Sequence, residues 1–266
     1  MPVLKAGEIE IGYERSGEGP PLLLIMGMSG TLMHWGEPLL SRLREHFETI
    51  VYDHRGIGSS TKVSEPFTIA DLADDTAALL DALGFDAVDA MGISMGGMVA
   101  QELALRHPER LRSLVLGCTY AGGEGGALTG EETMRRLAEA MTSGDRARAI
   151  RTAWEVNVSA RFADDPAFES FLEIGSANAV TVSVIMEQMR AIVGHDTSAR
   201  LADIGAPTLV VHGTEDEMLP VSNAYAIAER IPGARLEIFE GVGHLFFWEE
   251  PERSAELVRE HAAAHV

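Results

Sequence analysis

Continuous apolar runs that alternate with helical periodicity constrain this chain more than any other feature. "PLLLIMG", "FETIVYDHRG", "DAVDAMGIS", "LRSLVLGC", "APTLVVHG" and "ARLEIFEG" are separated by segments with helical spacing, among them "IADLADDTAALLDALG", "MGGMVAQELALRHPER" and "VSNAYAIAERIPG". A strand that is apolar on both of its faces must be covered on both. Strands alternating with helices therefore predict a mostly parallel twisted sheet flanked by helices, an α/β fold. The opening "EIEIGYER" alternates instead and reads as a half-buried edge strand.

The alternation lapses once, after the sixth strand, where "GGEGGALTGEE" leads into four helix-like stretches without a convincing strand. Residues 122–200 are accordingly expected to form a helical cap, and residues 1–121 and 201–266 a single core. The chain has 21 Lys+Arg against 41 Asp+Glu, a net charge of -20, which repels nucleic acid and anionic membrane surfaces. No run approaches the ~20 apolar residues of a membrane span, and the first residues lack a basic flank followed by an apolar stretch. A cytoplasmic monomer or homodimer, with neither nucleic acid nor membrane as partner, is expected. Cys118 is the single cysteine, set at a buried strand end, and reads as a packing thiol.

Chemistry centres on Ser94. Gly-x-Ser-x-Gly is weak evidence in a chain with 27 glycines, but "Gly92-Ile93-Ser94-Met95-Gly96-Gly97" falls where a predicted strand ends and a predicted helix begins. So tight a turn strains the serine backbone and leaves no room for side chains two residues away, which the glycines satisfy. The helix start adds the Met95 N–H and a dipole that favours negative charge. A serine hydroxyl needs a base and a carboxylate to become a nucleophile. Among nine histidines, His244 in "FEGVGHLFFWEEPE" lies on a glycine-flanked loop, whereas His46, His107, His261 and His265 fall in or at the ends of helix-like runs. The turn "VVHGTEDEMLP" offers Glu215, Asp216 and Glu217, which position alone does not separate.

With these segments in view the chain resembles the α/β-hydrolase family, its serine esterase and lactonase branch. "GISMGG" looks like the family's nucleophile elbow, "DHRGIGSS" like the loop after its fourth strand, "HGTEDEMLP" like its acid turn and "GVGHLFFWEEPE" like its histidine loop. The order serine, acid, histidine is also the family's. The resemblance implies Ser94 as nucleophile, Asp216 as acid and His244 as base. It further implies an oxyanion hole from the backbone N–H groups of Met28 and Met95. Met26-Gly27 stands where many relatives carry His-Gly, and in this it resembles a subset that includes aclacinomycin-type methylesterases.

The expected activity is hydrolysis of a small to medium carboxylic ester or lactone through an acyl-enzyme. Carbon-carbon cleavage of a β-diketone-like substrate by the same triad is the alternative. From another class comes a non-catalytic small-molecule receptor. His34, Trp35, Met186, Met189 and Phe246 are the candidate substrate contacts. For Met186 and Met189, which lie in a stripe with Ile185 and Ile192, packing on the sheet competes with that role. No cofactor or metal is implied. The Gly-rich "GGEGGALTG" lacks the lysine of a phosphate loop, and neither His-Glu-x-x-His nor paired-cysteine spacing occurs.

Overall fold

The computed structural model describes residues 1–63 and 65–265. Eight strands form one sheet: β1 (Val3–Ala6), β2 (Ile9–Ser16), β3 (Pro21–Ile25), β4 (Glu48–Tyr52), β5 (Val88–Ile93), β6 (Leu111–Gly117), β7 (Thr208–Gly213) and β8 (Arg235–Phe239). Their spatial order is β1-β2-β4-β3-β5-β6-β7-β8. β1 and β2 pair antiparallel, as do β2 and β4, and every later pairing is parallel.

The continuous apolar runs are central strands because each supplies both faces. Leu23 and Ile25 point to one core with Ile50, Leu114 and Val210, while Leu22 and Leu24 point to the other with Val51, Val115 and Leu209. Helices α2 (Ile69–Leu83), α3 (Met95–Arg106) and α8 (Ser222–Arg230) cover the first face. Helices α1 (Glu37–Arg44) and α10 (Pro251–Ala263) pack together over the second. Helix α2 starts where the sequence offers a reciprocal cap, with Thr68 N donating to Asp71 Oδ2 at 2.7 Å and Asp71 N to Thr68 Oγ1 at 3.2 Å.

Helices α4 (Glu131–Thr142), α5 (Arg146–Asn157), α6 (Ala167–Ala177) and α7 (Val182–Val193) are inserted between β6 and β7. Aromatic rings anchor α5 and α6. Trp154 of α5 is fully buried, with its ring centroid 5.1 Å from Phe171 of α6 and 5.8 Å from Trp248. Trp248 belongs to the short helix α9 (Phe246–Glu249), so the insertion grips the core next to the loop that carries His244. Among the described residues no helix is long and apolar enough to cross a membrane.

Candidate active site

Only Ser94 separates β5 from α3, and the backbone there has φ 57° and ψ −123°. Conformations of this kind cost a non-glycine residue about 1–3 kcal/mol and persist only where the surroundings over-determine them. Here they do. Ser94 N donates to Gly117 O at 2.9 Å, and Ser94 O accepts from Gly97 N (2.9 Å), Met98 N (3.2 Å) and Thr119 Oγ1 (2.7 Å). A Cβ on Gly96 would stand 1.9 Å from Ile25 O, and one on Gly92 2.3 Å from Gly96 O. The glycines are therefore what lets the helix start lie against the ends of β3 and β5.

Besides Ser94, the non-glycine residues with positive φ among those described are Ser29 (59°) and Cys118 (40°). All three follow the C-terminal ends of neighbouring strands, β3, β5 and β6. Clustered strain of this kind is a mark of a functional site. A Cβ on Gly27 would lie 3.7 Å from Ser94 Oγ, which puts the loop after β3 beside the serine. Met28 N and Met95 N have no hydrogen-bond acceptor among the described residues. The "DHRGIGSS" segment braces this loop: Asp53 Oδ1 accepts Leu32 N at 2.8 Å, and His54 Nε2 donates to Met26 O at 2.9 Å. Burial pushes His54 down to about 4, so the ring is neutral at physiological pH.

Of the three carboxylates in the turn after β7, Glu215 and Glu217 are exposed and Asp216 is buried. Asp216 Oδ1 accepts Met218 N and Leu219 N, both at 2.8 Å, and Oδ2 lies 2.7 Å from His244 Nδ1 and 3.0 Å from His212 Nε2. Burial opposes ionisation of this carboxyl. The electrostatic attraction and hydrogen bonds of His244 and His212 outweigh it and hold Asp216 well below the usual carboxylate range. His212 Nε2 also bonds Leu219 O at 2.8 Å, and since a carbonyl only accepts, this nitrogen carries the proton. With Nδ1 of His244 bound to Asp216, its Nε2 is the nitrogen left for proton transfer.

Cys118, His212 and Asp216 place a sulfur, a ring nitrogen and a carboxylate oxygen within 4.8 Å of one another, a possible metal-ligand set by distance alone. The carboxylate and the His212 Nε2 proton are already spent on each other. Burial, then the Asp216 charge, pushes the Cys118 thiol up, so it is a packing group rather than a nucleophile.

The histidine loop is tied to the insertion. Glu249 has a fully buried side chain that accepts Gly243 N (2.8 Å), Ser159 N (2.7 Å) and the Ser159 hydroxyl. Leu245 N donates to Asn157 O at 2.7 Å. Both neighbours of His244 are thus fixed. A Cβ on Gly243 would meet Val158 C at 2.6 Å, which explains the glycine.

The candidate substrate contacts separate. His34 is half-buried, with its ring centroid 5.4 Å from Phe171 of the insertion. Trp35 is fully buried against Phe247, and Phe246 is buried between Phe239 and Gly117; both are core residues. Met189 is half-buried, and Met186 is 56% exposed on the outer side of α7. The inward face of α7 is instead Val184, Gln188 and Ala191, an i, i+4, i+7 set. A helix can turn only one side inward; Met186 lies on the other, while Ile192 of the same stripe packs at the edge of the core. Sequence reasoning passed over Gln188, Glu249, Ser159 and His212. Their signal was a polar residue inside an apolar pattern, which marks a buried hydrogen bond without saying to what. A cavity of about 470 Å³ opens between α1 and α6, but its lining, which includes Met33, Arg44 and Glu173, does not include Ser94.

Comparison with known proteins adds four findings. The family model for the alpha/beta hydrolase fold matches residues 20–251. A protein of Azorhizobium caulinodans named carbamate hydrolase RutD is 30% identical over 97% of both chains. A poly(3-hydroxyalkanoate) depolymerase of Ectopseudomonas oleovorans is 32% identical over 90% of this chain and 82% of its own. Among solved structures, the enol-lactonase from Burkholderia xenovorans superposes with a TM-score of 0.83 at 25% identity, covering 98% of this chain and all of its own.

Proposed function

The chain belongs to the alpha/beta hydrolase family, and from that premise we propose that it is a cofactor-independent serine hydrolase cleaving small to medium carboxylic esters or lactones. The observation that carries this reading is the presence together, in one chain of this family, of a strained Ser94 at the β5–α3 junction and a buried Asp216–His244 contact of 2.7 Å. In the proposed cycle Ser94 Oγ attacks the carbonyl carbon and His244 Nε2 takes its proton. Asp216 fixes the His244 tautomer and stabilises the imidazolium that forms. The N–H groups of Met28 and Met95 hold the oxyanion, helped by the N-terminal dipole of α3. His244 then returns the proton to the leaving alcohol, activates a water, and the acyl-enzyme is hydrolysed. The helices of residues 122–200 act as a cap that selects the substrate.

Similarity to the carbamate hydrolase supports a second reading, hydrolysis of a carbamate by the same groups. One assay separates the two. Wild type and Ser94→Ala are compared on p-nitrophenyl esters of increasing acyl length and on a p-nitrophenyl carbamate. Ester turnover that falls by about 10⁶ in the variant supports the proposal. Turnover of the carbamate alone replaces it with the second reading, and ester turnover that survives in Ser94→Ala overturns the assignment of the nucleophile.

A further inference from the structure

Helix α7 turns one polar side chain into the core. Gln188 is fully buried, and its Oε1 accepts the Ser29 N–H at 2.8 Å. That bond settles the orientation of the amide, because a backbone N–H cannot pair with an –NH₂ group. Nε2 is therefore the other end, and this buried donor has no acceptor among the described residues. Its place is specific. Ser29 holds φ 59° directly after Met28, whose N–H is the proposed second donor to the oxyanion. An unmatched buried donor is a standing penalty that an arriving acceptor would relieve.

We propose that Gln188 determines substrate specificity: Oε1 steadies the loop after β3, and Nε2 donates to a second acceptor oxygen of the substrate, beyond the scissile carbonyl. The inference rests on the ester-hydrolase reading and deepens it. It assigns as substrates esters or lactones that carry an additional hydroxyl, ether, oxo or amide oxygen near the reacting carbon. A purely apolar acyl chain leaves Nε2 as unmatched in the complex as in the free protein and gains nothing from it.

The test compares p-nitrophenyl butyrate with p-nitrophenyl methoxyacetate, which replaces one methylene by an ether oxygen. Intrinsic reactivity cancels when the ratio of kcat/KM for the two esters is compared between proteins. In Gln188→Met, which loses the acceptor and the donor, and in Gln188→Glu, which keeps an acceptor for Ser29, the ratio should fall about tenfold in favour of butyrate. A merely structural role would lower both esters together and leave the ratio unchanged in both variants, which overturns the proposal. Titration calorimetry on Ser94→Ala, with and without Gln188→Met, reads the same preference without turnover. Tighter binding of the methoxyacetate only where Gln188 is present supports the proposal, and equal binding of the two esters by Ser94→Ala overturns it. Wild type that hydrolyses neither ester, beside a preserved binding preference, removes the ester-hydrolase reading and leaves the Gln188 contact standing.

Discussion

At the scale of single residues, Asp216 shows how one carboxylate is set apart from its neighbours. Glu215 and Glu217 share its turn, yet Asp216 alone of the three is buried, with two backbone N–H groups on one oxygen and two histidines on the other. Chemistry at position 216 therefore depends on charge as well as shape. Asp216→Asn keeps the shape, loses the charge and presents an amide that can reverse the His244 tautomer. Its kcat on an ester cleaved by wild type should fall by about 10⁴ with an unchanged circular dichroism spectrum. A loss under tenfold would show that Asp216 is not the acid of the site. This residue was named from a family pattern, since the turn in sequence offers three acids with nothing to rank them. Burial is what ranks them, and burial is set by how β7 and β8 bring the turn against the histidine loop.

At the scale of elements, the insertion and the histidine loop behave as one unit because Glu249 bonds to both. Replacing Glu249 with alanine leaves the Gly243 and Ser159 N–H groups buried without an acceptor. The expected cost is about 1–3 kcal/mol in urea unfolding, with a loss of kcat as the loop loosens. Glu249→Gln retains one acceptor oxygen and should lose less on both measures. Equal stability of Glu249→Ala and wild type would show that the insertion is not braced there. Helix α7 carries the complementary lesson. Its helical nature was readable from apolar spacing, but its phase was not, because Ile185, Met186, Met189 and Ile192 form as good a stripe as the inward set around Gln188. The tie to Ser29 N overrides side-chain hydropathy at that position.

At the scale of the whole molecule, acid sensitivity follows from neutral histidines held inside. Burial pushes His34, His54 and His195 each down to about 4 from an ordinary value of 6.5. Between those limits the unfolded chain binds more protons than the folded one, so stability is lost as pH falls through that window. Three such groups contribute at most about 4 kcal/mol per pH unit. Asp216, held below the usual carboxylate range, adds its own loss only at more acidic pH, where the unfolded carboxylate protonates and the folded one does not. Tm measured between pH 6.5 and 5 should fall steadily. A Tm that holds flat over that interval would show that these imidazoles protonate without unfolding. His54→Gln, which keeps a donor for Met26 O, should reduce the slope.

The sequence by itself determined the class of fold, the place of the helical insertion and the strand-to-turn setting of Ser94. Each of these rests on local rules: apolar runs that must be covered on two faces, and glycines without which Ser94 could not be turned so tightly. Tertiary structure alone decided which side of α7 faces inward, and that Trp35 and Phe246 belong to the core. It also brought Gln188 to the loop after β3 and Ser159 of the insertion to Glu249 beside His244. These depend on hydrogen bonds such as Gln188 to Ser29 and Glu249 to Ser159, spanning 159 and 90 residues. No spacing rule reaches that far, because such partners meet only after the sheet and the insertion have packed.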